Sequence, residues 1–237
     1  MYCAAGETRA GSSRRCEFTA VPGVETWCVD LLVIPARESL EALSTDELAR
    51  AARFKFEDDR RRYLHAHCAL REILAKAVSY RAEALEFRIG AHGKPSLPDA
   101  YSIPFNMSHS GELALIGLGA GLPREAELGV DVEAMRPISD SAALAAMNFT
   151  VREQAELRAA AADERDRVFL QGWTRKEACL KAVGSGLSIA PSTFHCGLHA
   201  AQSVAQVATP RGVCTVDVAP LEIGAHHVAS VAIIYPV

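Results

Sequence analysis

The sequence predicts an α/β fold, α+β in its detail, with strands and helices in both halves of the chain. Two observations predict it. Apolar residues pass from short β-branched runs to helical stripes and back to runs, and they do so twice. At 237 residues the chain has room for one large domain or two compact halves. A hydrophobic share of 49% against 23% charged residues, with 16 Gly and 11 Pro, excludes disorder and collagen-like repeats. No fixed-period sequence repeat is visible.

Residues 1–22 carry Arg9, Arg14 and Arg15 beside Glu7 and Glu17, without the apolar core of a secretory signal. They are expected to be a flexible N-terminal extension. Thr26 to Ile34 is short, apolar and β-branched and is closed by Pro35, which predicts a buried strand. Ser44-Thr45-Asp46-Glu47 then offers a helix start, with Leu43, Leu48, Ala52 and Phe56 at helical spacing. A second helix is predicted from about Asp58 to Ser79, its stripe formed by Leu64, Cys68, Ile73 and Val78. Arg88 to Lys94 reads as an irregular loop and a candidate ligand edge. Asn106 to Gly111 reads as a turn feeding a strand that ends at Gly119; Gly119 to Pro123 suits a hairpin-like link to a strand over Glu127–Glu133. Helices follow over Asp140–Met147, Val151–Ala162 and Arg165–Val183, and the tail from Thr193 is mostly strand-like. The expected division is 23–124 and 125–237.

Charge and cysteine content exclude several function classes. With 25 basic and 29 acidic residues the formal charge is −4, so no global positive field holds a nucleic-acid backbone. The longest apolar runs, Leu113–Leu118 and Val228–Tyr235, fall far short of the ~20 residues of a membrane helix. Seven Cys without a CxxC pair predict reduced thiols and a cytoplasmic setting.

Four strings carry chemistry. In Gly129–Glu133, GVDVE, Asp131 and Glu133 lie two apart on a strand and share a face. They are either a divalent-cation site or two solvated acids of an edge strand. In Trp173–Leu187, WTRKEACLKAVGSGL, Glu177 and Lys181 lie one helical turn apart, as a working acid and base or as an ordinary ion pair. Phe105–Gly111, FNMSHSG, sets Ser108, His109 and Ser110 where an anion could be held, or merely caps a turn, with Asn106 structural. Around RFKFEDDRRR, Arg50, Arg53 and Arg62 could meet phosphate oxygens or form a solvated helix face.

In order, HGKP (His92, Gly93, Lys94, Pro95), FNMSHS, GVDVE and WTRKEACLKAVGSGL resemble the signature of the 4′-phosphopantetheinyl transferases, in particular the larger class typified by the surfactin-synthetase activator. The resemblance spans about residues 27 to 200. It implies two similar α/β halves related by a pseudo-two-fold axis, with coenzyme A bound at their junction. It implies transfer of the 4′-phosphopantetheine arm from coenzyme A, the substrate, to a serine of an apo acyl or peptidyl carrier protein, releasing adenosine 3′,5′-bisphosphate. Such carriers serve fatty acid, polyketide or nonribosomal peptide synthesis. Carried over by motif, Asp131, Glu133 and Glu177 hold Mg²⁺, Glu177 takes the serine proton and Lys181 assists the leaving phosphate; oxygen ligands accept either Mg²⁺ or Mn²⁺, and the choice between them stays open. Lys94, Ser108 and His109 fall on the coenzyme phosphates, with His92, Gly93, Pro95 and Asn106 beside them. Arg50, Arg53 and Arg62 fall near the 3′-phosphate or nucleotide. Glu153 is the approximate match to a further family acid. An active monomer is expected. The alternatives are an Mg-dependent phosphohydrolase and a noncatalytic carrier-binding module.

Overall fold

The computed structural model describes residues 14–15, 21–199 and 201–236. The expected N-terminal extension therefore lies outside the described residues, apart from Arg14–Arg15 and Val21–Pro22. The first half comprises β1 (Arg14–Arg15), β2 (Glu25–Asp30), α1 (Arg37–Glu41), α2 (Thr45–Ala51), α3 (Glu57–Ala77), β3 (Arg88–Ile89), β4 (Pro95–Ser96), β5 (Phe105–Ser110) and β6 (Leu113–Leu118). The second comprises β7 (Glu127–Ala134), α4 (Ser141–Asn148), α5 (Val151–Ala159), α6 (Arg165–Val183), β8 (Ser203–Thr209), β9 (Gly212–Leu221) and β10 (His227–Ile234).

Two antiparallel sheets result, ordered β1-β2-β6-β5 and β7-β10-β9-β8. The connectivity repeats. In each half a strand leads through helices to a hairpin whose last strand returns beside the first, β6 against β2 and β10 against β7. Helix α3 packs Ala66, Leu70, Ile73 and Leu74 on Val29, Phe105 and Ile116 of the first sheet. Cys28 and Leu115 meet Leu128, Val130, Val132 and Val231 between the sheets. Helix α6 covers the far side of the second sheet, with Ala178, Cys179 and Ala182 on Val216, Val218 and Ala232. The order is helix, sheet, sheet, helix.

Close approach of α6 to β7 depends on Gly129. A Cβ there would sit 2.1 Å from the Ala178 carbonyl oxygen and 2.4 Å from the Ala182 nitrogen, both backbone atoms that cannot move aside alone. The glycine at the start of GVDVE is thus what lets Glu177 and Lys181 on α6 lie over Asp131.

Several expected elements differ. The strand begun at Thr26 stops at Asp30, because the Asp30 carboxylate accepts the Leu32 N–H at 2.9 Å and turns the chain. Leu32 and Ile34 are consequently exposed. Helix α2 ends at Ala51, short of Phe56, which instead precedes α3 and is exposed. Residues 106–110 are the strand β5 rather than a turn: they pair in register with β6, and the turn is confined to Gly111–Glu112. Strands β6 and β7 are not hairpin partners, since Gly119–Pro123 carries the chain into the second sheet. The Arg88–Lys94 loop is the tip of the β3–β4 hairpin, closed by Gly90 N–H to the Lys94 carbonyl at 2.9 Å.

Replacing Gly129 by Ala is expected to cost about 3 kcal/mol in urea unfolding, because overpacking falls on helix backbone. Gly172→Ala, whose Cβ would meet the ends of Leu198 and Phe149, is expected to cost about 1 kcal/mol. Equal losses would refute the backbone contact.

Candidate active site

Strand β5 runs beside β7 without a backbone ladder between them; side chains make the joint. Asn106 Oδ1 accepts the Val130 N–H at 3.0 Å, and Ser110 Oγ accepts the Ala134 N–H at 3.1 Å. Ser108 Oγ donates to Asp131 Oδ1 at 2.7 Å, and Ser110 Oγ donates to Glu133 Oε2 at 2.8 Å. Asn106, Ser108 and Ser110 share one face of β5 because strand side chains alternate. Asn106 is structural, as expected.

Helix α6 adds the second side of the site. Lys181 Nζ reaches Asp131 Oδ1 at 2.7 Å and Ser108 Oγ at 2.9 Å. The ion pair suggested by the Glu177–Lys181 spacing is not formed: Lys181 turns to the strand acid, and Glu177 makes no hydrogen bond or ion pair among the described residues. Burial pushes the Glu177 carboxyl above its usual range; Asp131 and Glu133 push it further, while Lys181 pulls it down. Burial likewise raises Asp131, opposed by Lys181 and Ser108. Arg136 Nη1 meets Glu133 Oε2 at 2.7 Å. Three acids from β7 and α6 therefore feel one another's charge, with Lys181 and Arg136 as counter-ions.

Among the described residues no three Asp, Glu, His or Cys side chains stand ready to hold a metal ion. The donor chemistry nevertheless fits a hard divalent cation. Asp131 Oδ2 is buried without a hydrogen-bond partner, and oxygen donors that raise one another's pKa are those a cation relieves.

Cationic groups surround this centre. Lys94, in the β3–β4 tip, spans the two halves to donate to Glu127 Oε2 at 2.6 Å and to the Ala182 carbonyl at 3.0 Å, near the end of α6. Burial lowers its pKa and Glu127 offsets this. Gly184 closes α6 with φ +71. A Cβ on it would stand 3.6 Å from Lys94 Cδ, and one on Gly186 3.5 Å from His92 Cβ, so the hairpin tip lies against these glycines. Gly93 takes φ +83 in that tip and Pro95 begins β4. His109 projects from β5 and is exposed on the whole, yet burial of its ring, Lys181, Arg62 and His67 hold its pKa below the ordinary value. Arg62 is engaged by Glu112 and by Asp59, the latter at 3.0 Å.

Arg50 and Arg53 stand apart from the carboxylates. They line a depression of about 580 Å³ on α2 with Asp46 and Phe54, and neither forms an ion pair among the described residues. Arg50 lies 5.8 Å over the Tyr63 ring. Glu153 does not join the site. It is fully buried, bonded to Lys176 Nζ at 2.7 Å and to the Cys196 N–H at 2.9 Å.

Comparison with known proteins gives the family. Residues 127–231 match the model described as 4′-phosphopantetheinyl transferase superfamily, and residues 36–119 match that described as 4′-phosphopantetheinyl transferase, N-terminal. The chain is 37% identical to slr0495 of Synechocystis sp. over 172 residues, which cover 71% of this chain and 68% of that protein. The chain belongs to the 4′-phosphopantetheinyl transferase superfamily. Two further phosphopantetheinyl transferases are HetI of a Nostoc species and Sfp of Bacillus subtilis. HetI is 38% identical over 149 residues, 62% of this chain and 61% of HetI. Sfp is 28% identical over 157 residues, 66% of this chain and 67% of Sfp.

Three contributors to this candidate site have tasks that the motifs do not predict. Ser110 and Arg136 hold Glu133; Ser110 was legible as the next same-face position after Ser108, whereas Arg136 carries no signal. The third is Glu47, which caps α2 through Ser44 and binds Arg71 Nε at 2.8 Å and His67 Nδ1 at 3.0 Å beneath the arginine-bearing surface. Its Ser44-x-x-Glu47 spacing is a capping-box signal. Burial raises the Glu47 carboxyl, but His67, Ser44 and Arg71 together outweigh that and hold it down at about 2.

A carboxylate lowered from 4.5 to about 2 stabilises the fold fully above the higher value and ceases to as pH falls through the lower. Glu47→Gln is therefore expected to lose about 2–3 kcal/mol at pH 7, with the gap to wild type closing between pH 4.5 and 2. Urea unfolding across that range checks it; a constant gap would contradict it.

Proposed function

We propose that this chain transfers the 4′-phosphopantetheine arm of coenzyme A to a serine of an apo carrier protein and releases adenosine 3′,5′-bisphosphate. The observation that carries the reading is the junction of β5, β7 and α6, where Ser108 and Lys181 bond Asp131 and where the charges of Asp131 and Glu133 act on Glu177. Family membership supplies the reaction class. Asp131, Glu133 and Glu177 would hold Mg²⁺, with Mn²⁺ an acceptable substitute by donor type. Such an ion, when bound, shields charge growing on the diphosphate as it breaks.

The chain's own residues have distinct tasks. The carrier serine oxygen forms a bond to the phosphorus of the phosphopantetheine arm, and the bridging P–O bond to the nucleotide breaks with its electron pair leaving on the nucleotide phosphate. Glu177 accepts the serine proton, directly or through water; the burial and neighbouring acids that raise its pKa shift it toward a useful base. Lys181 offers charge, or its proton, to the departing phosphate oxygen. His109 and Lys94 would face the coenzyme phosphates. A bound anion would reverse the downward push that Lys181, Arg62 and His67 exert on His109, making it a charged donor. His92, Gly93 and Pro95 shape the tip that carries Lys94. Arg50 and Arg53 would meet the 3′-phosphate, with Arg62 beside them once drawn from Glu112.

The halves 23–124 and 125–237 and an active monomer belong to the same reading. A cytoplasmic setting belongs to the reading as well; no described helix is long and apolar enough to cross a membrane. Acyl and peptidyl carriers of fatty acid, polyketide or nonribosomal peptide synthesis all present the required serine.

Purified protein, coenzyme A, Mg²⁺ and a panel of apo acyl and peptidyl carriers are expected to give a carrier heavier by one phosphopantetheine arm in mass spectrometry. Glu177→Ala should slow this by at least about 10²-fold. Release of phosphate without carrier modification would favour a phosphohydrolase, and carrier binding without a mass change a noncatalytic module; either would overturn the reading.

A further inference from the structure

A second cavity lies away from the carboxylates, between α4, α5 and the start of α6. It has a volume of about 210 Å³, and its polar lining is Ser141, Gln154, Arg158 and Arg165, with no acidic side chain. Neither arginine forms an ion pair among the described residues. Arg165 Nη2 makes one long bond to the Ala160 carbonyl at 3.4 Å, while Arg165 Nε is buried without a partner. A buried guanidinium N–H left unbonded costs free energy that an acceptor would recover.

The helix ending supplies further donors. Ser141 and Ala142 begin α4 and line the same cavity. Their N–H groups have no intrahelical acceptor, and the helix dipole places positive potential there. Asp140 and Asp166, next to Ser141 and Arg165 in the chain, are engaged with backbone: Asp140 accepts the Ala143 N–H at 3.2 Å, and Asp166 accepts the Ile138 N–H at 3.3 Å.

We propose that this cavity binds a small tetrahedral oxyanion of the phosphate type. Two guanidinium groups, a hydroxyl and two helix-end N–H groups belong to residues that line it from three helices, beside the Gln154 amide, whose Nε2 already donates to the Phe149 carbonyl at 2.9 Å; a many-sided acceptor satisfies such a donor set better than a flat one. The volume, below the ~300 Å³ at which drug-sized ligands begin, suits a phosphate-sized group rather than a whole nucleotide. Arg165 stands about 18 Å along α6 from Glu177, at 1.5 Å per residue, so the site is separate from the transfer chemistry. Its occupant ties α4 and α5 to the helix that carries Glu177 and Lys181.

Titration of ¹⁵N-labelled full-length protein with inorganic phosphate, against chloride at constant ionic strength, tests this. Saturable shifts are expected in the Ser141 and Ala142 amides and in the Nε–H signals of Arg158 and Arg165. Arg165→Met should weaken them about tenfold or more, the loss of a hydrogen bond to a charged group. Arg158→Gln, a change at an exposed side chain, should weaken them similarly and keeps the test valid if Arg165→Met misfolds. Shifts at the Arg53 surface serve as the internal comparison and should be unaffected by either substitution. Shifts matched by chloride, equal shifts with acetate, or insensitivity to Arg158→Gln would overturn the proposal, leaving an adventitious ion only.

Discussion

The site depends on two strands held side by side by side chains where a backbone ladder would be expected. Val130 and Ala134 turn N–H groups toward β5, and the acceptors they find are Asn106 and Ser110. Buried N–H groups must be satisfied, so these two bonds fix the lateral position of β7 against β5. That position brings Ser108 to Asp131 and Ser110 to Glu133. A glycine does the corresponding work on the other face, where Gly129 lets α6 close on β7 until Lys181 reaches Asp131.

The same geometry stores electrostatic conflict. Asp131 and Glu177 are buried enough to have raised pKa values; Glu133 pushes both further up, and Asp131 does the same to Glu177. Lys181 and Arg136 offset part of this with charges of their own. A centre built this way favours any ligand that brings positive charge to the acids and negative charge to the surrounding Lys94, His109 and Lys181. A metal-bound diphosphate has that polarity. The structure thereby links its least comfortable groups to the chemistry assigned to them, as functional sites often do.

Much of this was legible in the sequence, and the failures have physical causes. Helices α3 and α6 show themselves through long apolar periodicity and, for α6, through Gly184 in the left-handed conformation that ends it. Strand β7 shows itself through alternation. Strand β5 hides, because Asn106, Ser108 and Ser110 imitate turn chemistry, although their period of two is a strand's and their polar face is buried against β7. Helical spacing predicts Glu177 as the partner of Lys181, whereas the actual partner, Asp131, arrives from a different element. The Glu47 cluster is invisible for the same reason: His67 and Arg71 meet it only when α2 lies on α3. Glu153 shows the converse case, a carboxylate near the place of a family acid that the fold commits to Lys176 and to backbone N–H groups.

Native-state hydrogen exchange at Val130 and Ala134 tests the central joint most directly, comparing wild type with Asn106→Ala and Ser110→Ala. Each substitution should expose its own amide to faster exchange while the β9–β10 ladder keeps its protection. Exchange at both amides that is unchanged by either substitution would mean that something other than these side chains holds β7 in place, and the account of how the carboxylates are assembled would fail.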